Sequence, residues 1–495
     1  MSPRDRGLAV LCGAMFVSAV DMTIVNVALP AISEDLNAGV GELQWVLDAF
    51  LVSLAGLLLM GSGLADRFGR KRVFLGGMTG FGLASVLCAL APSPEALIGA
   101  RALMGASLAC VMPPALSLIA VMYPPEERQR ALGVWVVVAG MGLVLGPVLG
   151  GILVSKIGWE AVFLVNVPVT LVVVPAGLAF LPESTRPGAP PLDLAGVALS
   201  ILSLGGIVFA LIEGPESGWT SPLVIATAVT GLVAGVLFVR GELRRRDPLF
   251  DVRVLTRPAV AAGAIALLCV YLSFLGTLFL IPQYLQYVHD QSVEATGLSL
   301  VPLGIGVAVG SRYAPRLLVA WGPRVTVAGA LAGLAATTAL FMVLGEDTAI
   351  VLVLVGTGLF GALFALSLQP ATGVIMDDLG EAKAGDGGAV NQLARQVGGA
   401  LGVAVIGTVF AGVYAAQIDE RLGSLTKAQR ERAGHSLEEA RDVLGTLPAA
   451  VRDQLTLRVD DAFDVAARAG FAVCAGVLLL AALATALALA PGRQE

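Results

Sequence analysis

The strongest constraint on this chain is the length of its uninterrupted apolar runs. They recur at 8–31, 42–64, 73–92, 95–123, 129–154, 161–181, 193–213, 219–240, 259–287, 294–318, 324–344, 348–376, 386–416 and 463–490. A helix needs ~20 apolar residues to cross a bilayer. The runs are continuously apolar and do not alternate as barrel strands do. Residues are 57% hydrophobic and 14% charged, whereas soluble domains are about a quarter charged. The chain therefore reads as an all-α integral membrane protein with about fourteen transmembrane helices.

The cations orient these spans. Arg4 and Arg6, then Arg67 to Arg72, Arg128 and Arg130, Arg186, the cluster Arg240 to Arg257, Arg316 and Arg324, Lys383 and Arg493 fall at alternate connections. The short connections between them carry almost nothing but Lys156. Cytoplasmic loops retain positive charge, so both termini are expected in the cytoplasm. Arginine far outnumbers lysine, a composition that fits a GC-rich bacterium and hence its cytoplasmic membrane. Met1 to Gly7 lead straight into the first span, without a small-residue cleavage pattern.

One segment breaks the rhythm. Residues 417–461 are charged, with helical apolar spacing around Leu422 to Leu425 and Val451 to Val459. By the span count they lie outside, as a helical hairpin that either caps an exit or is a passive elaboration. Long loops cross regardless of their charge.

The turn Gly63-Leu64-Ala65-Asp66-Arg67-Phe68-Gly69-Arg70-Lys71-Arg72 packs one carboxylate and four cations between two spans. Its glycines allow a tight reversal. It reads as a cytoplasmic hairpin or, more sharply, as the gate of a transporter. Phe68-Gly69-Arg70-Lys71 is echoed by Trp321-Gly322-Pro323-Arg324, as repeated halves would produce.

Charges inside spans are costly and functional by default. Asp21 lies ~14 Å deep in the first span, and Asp48 and Arg101 lie ~10 Å deep in the second and fourth. Desolvation disfavours a charge and a neighbouring guanidinium restores it. A carboxylate between those influences can take up and release protons; the alternative is a permanent salt bridge that glues helices. Arg395, in Asn391-Gln392-Leu393-Ala394-Arg395-Gln396, is a further intramembrane charge. Asp386 could cap the start of that span. The fifth span, Gly140 to Gly151, holds Gly142, Gly146, Pro147, Gly150 and Gly151, which permit close helix approach and a kink. Cys12, Cys88, Cys110, Cys269 and Cys474 all lie in apolar runs, without metal-ligand spacing, and read as packing residues.

With these stretches the chain resembles the major facilitator superfamily, in its fourteen-span drug:proton antiporter branch. The turn 63–72 matches the signature between spans two and three. Arg101 with Gly105 matches that of the fourth span, and Gly140 through Gly151 the antiporter pattern of the fifth. Asp21-Met22-Thr23-Ile24-Val25-Asn26-Val27-Ala28-Leu29-Pro30 is similar to the branch's first-span motif. Asp247-Pro248-Leu249-Phe250 resembles the usual start of the second half. The resemblance implies a six-helix bundle over 1–182, two inserted helices over 183–246, and a second bundle over 247–495 that includes the loop 417–461. It implies alternating access around a central cavity, with Asp66 and Arg67 in a cytoplasmic latch that also involves Gly63, Gly69, Arg70 and Lys71. It gives Arg101 a part in proton coupling and makes Asp21 a protonation or cation site, and Asp48 joins them as a proton-coupling candidate on its depth. Glu160 departs from the branch, where arginine often follows the tryptophan at Trp159.

The expected function is proton-driven export of amphipathic, cationic or aromatic compounds, energised by the proton gradient and without a cofactor. Asn26, Trp45, Phe274, Gln283, Tyr284, Gln369, Asn391 and Arg395 are candidate cavity residues. No glycine is followed by lysine, so a Walker A loop is absent. Rival readings are a dedicated exporter of one metabolite or self-made antibiotic, a membrane enzyme, or a receptor. His289 and His435 are the only histidines, and no hydrolase or metalloprotease motif occurs. The cations are explained by topology, so nucleic acid is not an expected partner; the bilayer, protons and a small molecule are, and the chain is expected to work as a monomer.

Overall fold

The computed structural model describes residues 3–185, 193–245, 251–343, 350–379 and 384–489. Arg186, Arg246, Lys383, Arg493 and Asp247-Pro248-Leu249-Phe250 lie outside the described residues. The described residues form helices and connections, without strands. Twelve of the helical stretches are long and apolar enough to cross a membrane.

The first half comprises α1 (Pro3–Leu36), α2 (Val40–Phe68), α3 (Arg70–Ala89), α4 (Pro94–Ala109), α5 (Met112–Met122), α6 (Pro125–Lys156), α7 (Ala161–Leu164) and α8 (Asn166–Phe180). Next come α9 (Leu194–Ser217) and α10 (Pro222–Arg244). The second half has α11 (Pro258–Tyr287), α12 (Val293–Ser299), α13 (Val301–Phe341), α14 (Ile350–Leu379), α15 (Ala384–Arg421), α16 (Lys427–Ala433), α17 (Leu437–Gly445) and α18 (Ala449–Ala488).

Local chemistry sets several ends. Asn37 takes a positive φ of 52° between α1 and α2, and the Gly39 N–H donates to Glu42 at 2.8 Å to open α2. Ser93 caps α4 through the Ala96 N–H, with Pro94 in the first turn. The span expected at 95–123 is broken at Cys110 and Val111, because Pro113 and Pro114 follow at once and offer no amide protons to continue the ladder. The span at 161–181 is likewise interrupted at Val165.

The outer segment also differs from expectation. α15 continues to Arg421 and α18 starts at Ala449, so only α16 and α17 form the hairpin. Leu422 to Leu425, expected to be helical, form a turn that buries Leu422 beneath it. Leu437, Ala440 and Leu444 of α17 are buried.

The glycine echo is real in the backbone. Gly69 ends α2 with φ 110°, and Gly322 breaks α13 with φ 72°. L-residues rarely adopt either value, so each glycine permits a reversal or kink that its neighbours could not. α10 presents Leu223, Ile225, Val229, Leu232 and Val236 outward, an apolar belt suited to lipid.

The halves touch at the end opposite Gly69. Gln286 Nε2 donates to the Val27 carbonyl at 3.3 Å, and the Val40 N–H donates to the His435 carbonyl at 3.2 Å. α12 lies against α6, and α2 against α15.

Candidate transport site

Asp21 and Arg101 meet in the core of the first half. Arg101 Nη1 donates to Asp21 Oδ2 at 2.7 Å, and neither residue exceeds 1% exposure. Arg101 Nε donates to the Val46 carbonyl at 3.0 Å, and its guanidinium lies 4.3 Å from the Phe50 ring centre. Asn166 Nδ2 donates to the other Asp21 oxygen and to Ser85 Oγ, both at 3.1 Å. Elements α1, α2, α3, α4 and α8 are thereby joined through one polar network. Burying a charge pair is stabilising only when its remaining hydrogen-bonding positions are filled, and here both carboxylate oxygens have donors.

Asp48 stands apart from that pair. It is 0% exposed and neither carboxylate oxygen has a hydrogen-bond partner among the described residues. Gln44, one turn earlier, is also 0% exposed, with neither amide atom partnered. Of the three charges expected at similar depth, the structure thus brings two together and leaves the third alone.

The fifth-span glycines serve two faces of α6. A Cβ at Gly142 would meet the Phe16 carbonyl and Ala19, one at Gly146 the Thr23 hydroxyl and Val20 carbonyl, and one at Gly150 the Ile24 carbonyl. These three let α6 lie directly on α1. Gly151 instead faces Val293 and Gly297 of α12, and a Cβ on Gly297 would strike the Pro147 carbonyl. One glycine-rich helix therefore packs on α1 of its own half and on α12 of the other. Pro147 lies inside α6 without ending it.

The 63–72 turn is tied down within its own half. Asp66 accepts from Arg70 at 3.1 Å. The Arg70 N–H donates to the Ser184 carbonyl at 2.9 Å, and Lys71 Nζ to the Leu178 carbonyl at 2.8 Å. Glu183 accepts the Lys71 N–H at 3.2 Å and pairs with Arg72 at 3.4 Å. A Cβ on Gly69 would crowd its carboxylate, at 2.5 Å from Oε1. Gly63 is half-buried in the last turns of α2, and Arg67 is exposed, its guanidinium 5.7 Å from the Phe68 ring.

In the second half, Arg395 Nε donates to the Tyr271 hydroxyl at 2.7 Å. Tyr271 leads into an aromatic cluster in which Phe274 and Phe364 stack at 4.0 Å. Asn391 accepts from Thr372 at 2.9 Å. The other candidates scatter. Trp45 packs on Phe209 of α9 at 5.8 Å, Asn26 and Gln283 donate to carbonyls of their own helices, Tyr284 packs on His289, and Gln369 is exposed on α14. Asp386 lies in the first turn of α15, and Trp159, beside the divergent Glu160, donates to Asp35 at 2.8 Å. At the end opposite Gly69, a cleft of about 580 Å³ opens between α11, α17 and α18, lined by Tyr287, Asp290, Arg441, Arg452 and Asp460 among others.

Asn166, Ser85, Gln44 and Glu183 were not singled out in the sequence. The first three are uncharged residues within spans, and Glu183 lies beyond a span end. The available signal was intramembrane polarity: Asn166 and Gln44 each stand near the start of an apolar run.

Two helical halves in contact, a buried ion pair within one and a buried carboxyl without a hydrogen-bond partner among the described residues describe a multi-pass membrane transporter. A family model described as Major Facilitator Superfamily matches residues 11–403, and the chain belongs to that family. It is 37% identical over 412 residues to Multidrug resistance protein Stp of Mycobacterium tuberculosis, covering 82% of this chain and 76% of that protein. It is 33% identical over 486 residues to the Tetracenomycin C resistance and export protein of Streptomyces glaucescens, covering 96% of this chain and 89% of that protein. A solved bacterial homologue of the human lysosomal transporter Spinster shares the fold, with a TM-score of 0.68 at 18% identity, over 99% of this chain and 97% of that one.

Proposed function

We propose that the chain is a proton-coupled antiporter that exports amphipathic, cationic or aromatic compounds across a bacterial cytoplasmic membrane. The observation that carries this reading is Asp48, a fully buried carboxyl without a hydrogen-bond partner among the described residues, apart from the Asp21–Arg101 pair. Protons reach Asp48, Asp21 or both from outside, substrate leaves, and proton release to the cytoplasm restores the binding state. Each charge moved inward gains ~2.3 kcal/mol per 100 mV, so export needs no nucleotide. Relatives named for multidrug and antibiotic resistance support the substrate class.

The architecture that goes with this reading has about fourteen spans. α6 supplies one beyond the twelve, and the joint at Gly322 divides the stretch from Val293 to Phe341 into two. α9 and α10 are the inserted pair between two six-helix bundles. Both termini and the 63–72 turn face the cytoplasm, that turn acts as the latch, and the α16–α17 hairpin caps the outer end. The working unit is a monomer.

The deciding experiment is transport in sealed proteoliposomes with an imposed pH gradient, using ethidium and a mixed panel of antibiotics. Export that tracks the gradient and is lost in Asp21→Asn or Asp48→Asn supports the reading; full gradient-driven export in both variants sinks it. A second reading, export of one compound only, is favoured by the near full-length likeness to a protein named for export of a single antibiotic. A panel in which one compound alone moves selects it.

A further inference from the structure

Gln44 and Asp48 lie one turn apart on α2, and all four of their side-chain oxygen and nitrogen atoms are buried without partners among the described residues. A buried polar group left unsatisfied costs about 1–3 kcal/mol, so two such residues together are an expensive arrangement. Part of the cover over this face of α2 comes from the other half. Gln44 lies against Gly407 of α15, where a Cβ would come within 2.7 Å of Nε2, and Leu51 lies near Gly399. α2 and α15 run antiparallel by these two pairings, which puts Asp48 level with Gly402 and Val403. Gln44 is therefore nearer the end opposite Gly69, and Asp48 one turn deeper. The inter-half contact is thus part of what keeps water from this face of α2, with α9 packed beside it at Trp45 and Val52.

We propose that Gln44 is a positioning residue that relays protons to Asp48 when α2 and α15 part. The amide both donates and accepts hydrogen bonds. Once hydrated, it holds a water against Asp48. That water gives one proton to an Asp48 oxygen and takes one from the solvent side, so no bond in Gln44 itself breaks. In the closed arrangement Gly407 admits the amide and excludes the water. The inference rests on Asp48 carrying protons.

The charged groups around Asp48 are few. Asp21 and Arg101 are bound to each other across α1 and α4, and Arg395 of α15 is about two turns away and bound to Tyr271. Glu213 lies toward the end of α9, and α5 carries no charge. α15 has no charged residue from Gln396 to Ile418, and the cations of α3 lie at the Gly69 end.

The test compares native protein with Gln44→Met, Gln44→Glu and Asp48→Asn in proteoliposomes loaded with ethidium. Gln44→Met keeps the packing against Gly407 but loses the amide. The ratio of gradient-driven export to ethidium exchange without a gradient is expected to fall about a hundred-fold in Gln44→Met. Acidifying the outer side restores it, and Gln44→Glu retains most of it. A native pH profile in Gln44→Met with Asp48→Asn inactive overturns the relay alone. Gradient-driven export surviving in Asp48→Asn overturns the relay together with the role of Asp48.

Discussion

Arg101 reaches across from α4 to place its Nη1 2.7 Å from Asp21 Oδ2, with neither side chain more than 2% exposed. The pair is not isolated: Phe50 lies under the guanidinium and Val46 accepts its Nε–H. Removing one partner of a buried pair leaves the other uncompensated, at about 3–5 kcal/mol. Arg101→Leu is therefore expected to lower thermal stability in detergent sharply and abolish gradient-driven export. Arg101→Lys keeps the charge but lacks the planar fork that serves Asp21 and Val46 together, so partial recovery is expected. The measurement is a melting curve beside vesicle transport for each variant.

Asn166 binds Asp21 and Ser85 with the same amide nitrogen. Asn166→Leu removes both hydrogen bonds and strands buried acceptors, at about 1–3 kcal/mol. A purified Asn166→Leu protein that melts at the native temperature would contradict this account of the network.

The glycines of α6 divide into tight and open positions. A Cβ at Gly146 collides with Thr23 and the Val20 carbonyl, whereas one at Gly140 meets nothing within 4 Å. Overpacking a tight contact costs about 1–3 kcal/mol. Gly146→Ala is thus expected to destabilise the protein and slow export, with Gly140→Ala neutral or slightly stabilising. Equal effects at the two positions in melting and transport assays would exclude the packing explanation.

Gly69 combines φ 110° with Glu183 in the space a side chain would need. Gly69→Ala is expected to cost about 1–3 kcal/mol from backbone strain and to disturb the Glu183 contacts to Lys71 and Arg72. Glu183→Gln keeps an acceptor for the Lys71 N–H and loses only the exposed ion pair, worth ~0–1 kcal/mol. The check is the order of melting temperatures: native and Glu183→Gln close together, Gly69→Ala clearly lower.

The sequence alone determined the class of this protein. Runs as long as Leu194 to Ile212 without a charge have one stable solution in a bilayer, a helix that satisfies its own backbone. The same local logic exposed Asp21, Asp48 and Arg101, because a charge in an apolar run is visible without knowing its neighbours. It marked Gly69 and Gly322 through their shared setting, and both have left-handed φ. Partnership was not legible. Asp21 and Arg101 are 80 residues apart, and nothing in either run says that they meet while Asp48 does not. Asn166 and Gln44 differ little from ordinary polar residues in helices until packing encloses them. The Leu422 to Leu425 spacing suited a helix, yet burial of Leu422 in a turn prevailed. Helix formation depends on bonds a few residues apart, so sequence records it. The pairing of buried polar groups depends on which helix faces the fold presses together, and only the tertiary structure decides that.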